Sequence, residues 1–172
     1  MRDFFAITSL LVITGMMVGV LANAATTAAV SATVTAQNIS VTVSDAGIAY
    51  GVIAVGSSAS TTVSGSGLAD AQTATNNGNV NQAFNIIGVD SASWELGTSP
   101  ASETYTHYFC NTLACESAPT WTEFNEDSYT TLSSTTVPAN GTQIFDLRLE
   151  APSATAVFTE QTVDITVQAV SA

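Results

Sequence analysis

His107 is the single histidine of the chain, and it stands in Tyr105-Thr106-His107-Tyr108-Phe109, just ahead of Cys110. Proton transfer near neutral pH needs an imidazole or a carboxyl group moved far from its ordinary range, placed against a nucleophile or a metal. Lys is absent and no G-x-S-x-G elbow, H-E-x-x-H pair or phosphate-binding loop occurs. Strand alternation would set Tyr105, His107 and Phe109 on one face, which reads as an aromatic cluster rather than a catalytic centre. Acid pairs suited to glycoside cleavage could be assembled from the 14 carboxylates of almost any β protein, so they discriminate nothing. The chain is expected not to be an enzyme and to need no cofactor.

Two other groupings carry chemistry. Cys110 and Cys115 are close enough in sequence to close a short disulfide loop, as suits an exported protein, and a zinc site would lack ligands with one His in the chain. Glu123, Asn125, Glu126 and Asp127, near Glu116, supply oxygen ligands of the kind Ca²⁺ takes, but they do not follow the EF-hand spacing. A solvated acidic loop is the competing reading. Trp94, Tyr105, Tyr108, Trp121 and Tyr129 gather around the cysteine loop, where aromatic faces could stack on a glycan or could equally be core. Asn38-Ile39-Ser40 and Asn140-Gly141-Thr142 match the N-glycosylation sequon.

The charge balance narrows the partners. With 2 basic residues against 14 acidic ones, the formal net charge of −12 excludes nucleic acid, whose phosphates need clustered Lys and Arg. Anionic lipid is disfavoured on the same ground. Charged residues are only 9% of the chain, so Ser and Thr must supply most of the hydration.

The elements that would position these groups begin after residue 24. Arg2 precedes an uncharged run from Ala6 to Leu21, and Ala22-Asn23-Ala24 offers small residues at both key positions of a cleavage site. Residues 1–24 therefore read as a signal peptide, helical in its apolar part, with a retained membrane anchor as the alternative. Membrane contact is expected only through that leader if it is uncleaved, and the localisation implied is extracellular or at the cell surface.

Residues 25–172 read as one all-β domain. Short alternating runs are separated by Gly, Asn, Ser and Pro, with no helical period. Val41 and Val43 lead through Asp45-Ala46-Gly47 into Ile48 to Val55, predicting a hairpin. Further strands are expected at Thr61 to Val63, Gln72 to Thr75, Ala83 to Gly88, Trp94 to Leu96 and Thr104 to Cys110. Two final strands are expected nearer the C-terminus: Phe145, Leu147 and Leu149 face inward with Asp146, Arg148 and Glu150 in water, and Val163, Ile165, Val167 and Ala169 alternate likewise. About eight strands in this pattern predict an antiparallel two-sheet β-sandwich, Greek-key or Ig-like.

The segments Thr35 to Val43, Thr75 to Val80 and Glu160 to Ala169 resemble recurring phrases of small secreted prokaryotic surface proteins. The layout of leader, short N-terminal strand and single sandwich is similar to TasA-like and archaeal thread-like filament subunits. That resemblance implies a structural subunit whose mature N-terminal segment inserts as a strand into a neighbour. The segment here is 25–36, carrying Val30, Ala32 and Val34, and pairing as the chain's own edge strand is the alternative. The partners implied are copies of the same chain or other surface proteins. A glycan-binding or adhesive module using the aromatic set is the second functional reading.

Overall fold

The computed structural model describes residues 27–45, 47–62, 68–112 and 114–172. The expected signal peptide, 1–24, lies outside the described residues, as do Ala46 of the anticipated turn and Val63. The chain divides into two units, Met1–Thr35 and Ala36–Ala172. In the first, residues 27–35 form no strand, and Val30 and Val34 are 92% and 96% exposed. The second is all-β, with no helix among the described residues.

Its ten strands are β1 (Val41–Val43), β2 (Ser58–Ser60), β3 (Gln72–Asn76), β4 (Gln82–Gly88), β5 (Glu95–Leu96), β6 (Thr104–Cys110), β7 (Thr122–Phe124), β8 (Thr130–Thr131), β9 (Thr142–Glu150) and β10 (Ile165–Ser171). They form a seven-stranded and a three-stranded sheet, the latter ordered β10-β4-β8. β9 organises the larger sheet. Its first half pairs with β3, its second half with β2, and β6 lies along its other side. β7 then adds antiparallel to β6, and β5 adds parallel to it.

One apolar cluster draws on both sheets. Ala74, Phe109, Phe124, Phe145 and Leu147 come from the larger sheet and Phe84 and Ile86 from β4, with Ile165, Val167 and Ala169 of β10 packed against them. The inward positions of β4, β9 and β10 recur every second residue, as a half-buried strand requires. A smaller cluster of Leu96, Tyr105 and Leu149 is covered by Tyr50, Ile53, Trp94 and Val163.

Several local expectations are corrected. β1 pairs with β3, not with Ile48 to Val55, which forms no strand. Gly51 takes a φ of 71° and Val52 projects into solvent, so the apparent alternation breaks in mid-run while Ile48, Tyr50 and Ile53 still pack inward. β2 lies ahead of the anticipated Thr61 to Val63. Asp146, expected in water, is 3% exposed.

Candidate functional site

β6 is the element on which most of the candidate residues meet. Tyr105, His107 and Phe109 share its inner face, as the alternation predicted. His107 joins the two apolar clusters: its ring stacks on Phe124 at 5.4 Å, meets Tyr105 edge-on at 5.9 Å, and lies 5.9 Å from Tyr50. The Tyr50 hydroxyl is 3.2 Å from Nε2, while Nδ1 has no hydrogen-bond partner among the described residues. Burial pushes this imidazole down to about 3, so at neutral pH it is uncharged. Desolvation, followed by the fields of Asp70 and Asp146, raises the Tyr50 phenol far above its usual range. Their geometry is that of packed aromatics with one polar contact.

The aromatic set does not assemble into one exposed face. Tyr105 is fully buried, and its hydroxyl donates to the Val89 carbonyl at 2.6 Å. Trp94 is half-buried over the smaller cluster, its indole N–H donating to Thr155 Oγ1 at 3.1 Å. Tyr108 lies on the outer face of β6, with its hydroxyl donating to Glu150 at 3.2 Å and the Arg148 guanidinium 5.4 Å from its ring centroid. Trp121 is half-buried, and Tyr129 is exposed.

Cys110 and Cys115 are joined as a disulfide, the pairing expected from their spacing. The bond suits an oxidising environment outside the cytoplasm. The Thr112 N–H donates to Cys115 Sγ at 3.3 Å, and the Asn111 carbonyl accepts from the Gln143 side chain at 3.1 Å, tying the loop to β9.

In the acidic loop, Asn125 Oδ1 accepts from the N–H groups of Asp127 and Ser128 at 3.1 and 3.4 Å. Its oxygen thereby serves the turn. Glu123 is paired across the sheet with Tyr108, and no group of three or more His, Cys, Asp or Glu that could hold a metal forms among the described residues.

The most developed polar construction is one that spacing alone did not single out. The end of β3 and the loop after it, Asn76-Asn77-Gly78-Asn79, grip the stretch leading into β1. Asn79 Oδ1 accepts from Asn38 N–H at 2.8 Å, Asn79 N–H donates to the Asn38 carbonyl at 3.2 Å, and Asn79 Nδ2 donates to the Ala36 carbonyl at 2.8 Å. Gly78 lies so close under Asn38 that a Cβ there would collide with the Asn38 carbonyl oxygen and the Gln82 side chain. Asn76, completely buried, donates to the carbonyls of Val80 and Val137 at 2.9 Å and accepts from Gly78 N–H at 2.8 Å. The available signal was the Asn-rich phrase itself, because Asn supplies both donors and an acceptor.

Both sequon asparagines border this loop. Asn140, with a φ of 62°, donates its N–H to the Asn76 carbonyl, and Asn76 N–H donates to the Gly141 carbonyl, each at 2.9 Å. The side chains of Asn38 and Asn140 are exposed.

Among the described residues, β1 and β10 stand at the ends of their sheets' strand orders. β10 pairs with β4 alone, and β1 with β3 alone. Gln37 reaches from the β1 approach to the Ser171 hydroxyl of β10 at 3.0 Å.

Compared with protein-family models, with curated proteins and with solved structures, the chain matches none.

Proposed function

We propose that this chain is a non-catalytic, exported structural subunit of a cell-surface or extracellular filament, built on an antiparallel two-sheet sandwich and assembled by donation of its N-terminal segment to a neighbouring copy. The observation that carries the reading is the state of that segment. Val30 and Val34 alternate with small and hydroxylated residues in a strand-like pattern, yet residues 27–35 form no strand and both valines are almost wholly exposed. Apolar side chains in such a pattern gain by pairing with a sheet edge, and β1 and β10 are each ladder-paired on one side only among the described residues. Head-to-tail donation that does not close on itself yields a fibre.

The sandwich is supported by the shared cluster between the two sheets. The non-catalytic reading is supported by the uncharged, buried state of His107. A glycan-binding module is less well supported, because Tyr105 is enclosed and Trp94 is half-buried with its indole N–H engaged.

Electron microscopy of the processed protein tests the proposal. Filaments are expected from the chain that begins at Ala25, and none from a chain that begins at Gln37. Added Ala25 to Ala36 peptide should bind the shortened chain. Unimpaired assembly of the shortened chain removes donation, and strictly monomeric particles of the longer one at high concentration remove the filament.

A further inference from the structure

We infer that Asn38 and Asn140 are a pair of N-glycosylation sites flanking the Asn76–Asn79 loop, so that one pole of the domain is glycosylated where the N-terminal segment leads in. The inference rests on the export reading alone, not on filament formation. Sequence supplies Asn-Ile-Ser and Asn-Gly-Thr with no proline at the central position. Structure supplies three observations beyond the motif.

The first is accessibility with a fixed frame. The backbones of Asn38 and Asn140 are hydrogen-bonded to Asn79 and Asn76, while both side chains face solvent. Neither side-chain amide has a hydrogen-bond partner among the described residues, so modification would break no contact of the fold.

The second is proximity. Asn76 and Asn79 are three residues apart, a span of at most about 11 Å of extended chain, and each holds one acceptor asparagine. Sequons 102 positions apart are thereby brought to a single loop.

The third is exposed apolar surface. Ile39 is 42% exposed, Val43 37% and Ile144 55%. Ile39 lies inside the first sequon, and Ile144 shares a face of β9 with Thr142 of the second. In a chain with only 9% charged residues, glycans rooted here would hydrate surface that side chains leave apolar.

The reactant implied is an oligosaccharide carried on a polyprenyl phosphate. The asparagine amide nitrogen forms a bond to C1 of the first sugar, the C1–O bond to phosphate breaks, the lipid phosphate leaves with the electron pair, and the amide proton passes to a base of the transferase.

Mass spectrometry of protein purified from the cells that naturally make it provides the test. Trypsin is unsuitable because Arg2 and Arg148 are the only basic residues, so a chymotryptic digest is used. Added hexose-type mass is expected on the peptides containing Asn38 and Asn140. Ser40→Ala should abolish the first and spare the second, and Thr142→Ala the reverse; neither change alters the asparagine itself. Bare asparagines in a processed chain with the Cys110–Cys115 bond intact overturn the inference and leave export standing. Modification of one site alone overturns the paired arrangement. A chain retained in the cytoplasm with its leader and free thiols overturns the export reading and this inference with it.

Discussion

Asn79 clasps the backbone of Asn38 on both polar groups, accepting from its N–H through Oδ1 at 2.8 Å and donating its own N–H to its carbonyl at 3.2 Å. A side chain here completes the pairing that a neighbouring strand would otherwise supply. The clasp lies immediately after the boundary between the two units, at Ala36.

Asn79→Ala removes the Oδ1 and Nδ2 bonds to Asn38 and Ala36 and leaves the backbone bond. Two neutral hydrogen bonds are worth about 1 to 2 kcal/mol together, and this loss falls on the approach to β1 more than on the core. Faster amide exchange at Asn38 and earlier proteolysis between residues 36 and 40 are expected, with a small fall in the global denaturation midpoint. Unchanged exchange at Asn38 would refute the clasp.

His107 makes stability depend on pH in a definite direction. Its folded-state value of about 3 lies below the ordinary value of 6.5, so the unfolded chain takes up a proton first as the solution is acidified. The neutral imidazole's contribution is complete above pH about 6.5 and is lost as pH falls towards 3, amounting to on the order of 5 kcal/mol. Asp146 acts in the opposite sense, because burial raises its carboxyl and the native state then gains from protonation. His107→Phe should retain the stack on Phe124, lose the contact with Tyr50, and show a flatter midpoint between pH 7 and pH 4. A parental midpoint that does not fall over that interval contradicts the burial of an uncharged imidazole.

The sequence made β3, β4, β6, β9 and β10 legible because each places inward side chains at every second position over at least five residues. Ile48 to Val55 showed the same composition and formed no strand, since hydrophobic content does not reveal that Gly51 will adopt a positive φ. β8, two residues long, carries too little pattern to detect. Asp146 was placed in water by its strand parity, yet its outward-facing oxygen is covered by Thr61, which arrives from a loop with its own hydroxyl. The disulfide was readable from spacing; the clasp of Asn38 was not, because it depends on a contact between residues 41 positions apart. Alternation reports which face of a strand is apolar and is silent on what later covers the other face.

Cys110→Ser with Cys115→Ser opens a loop whose cysteines are five positions apart. The ring is short, so its removal should cost about 2 kcal/mol by the chain-entropy account. The Asn111 contacts to Leu132 and Gln143 tie one side of the loop to the domain. The expected outcome is therefore a folded double variant with a lower midpoint and faster amide exchange at Thr112 and Cys115. Global unfolding at room temperature would show that the bond supports more than its own loop.

Thr61 and Asp146 offer the sharpest test of the buried polar layer. The Thr61 hydroxyl donates to Asp146 Oδ1 at 2.7 Å and accepts from Leu147 N–H at 2.9 Å, so one oxygen serves a carboxylate and the β9 backbone together. Thr61→Val keeps the volume and removes both contacts, leaving a buried carboxylate and a buried N–H less well satisfied. The cost expected at pH 7 is about 2 to 4 kcal/mol. Burial raises the Asp146 carboxyl and the Thr61 hydrogen bond lowers it, so the substitution should raise it further. A group whose folded value exceeds its unfolded value destabilises the native state when charged and ceases to do so once pH falls through the folded value. The gap between Thr61→Val and the parent should consequently narrow on acidification, even while both lose stability through His107. Denaturant midpoints for the pair at pH 7 and pH 5 measure this; a gap that widens at pH 5 would mean that the carboxylate is not what Thr61 stabilises.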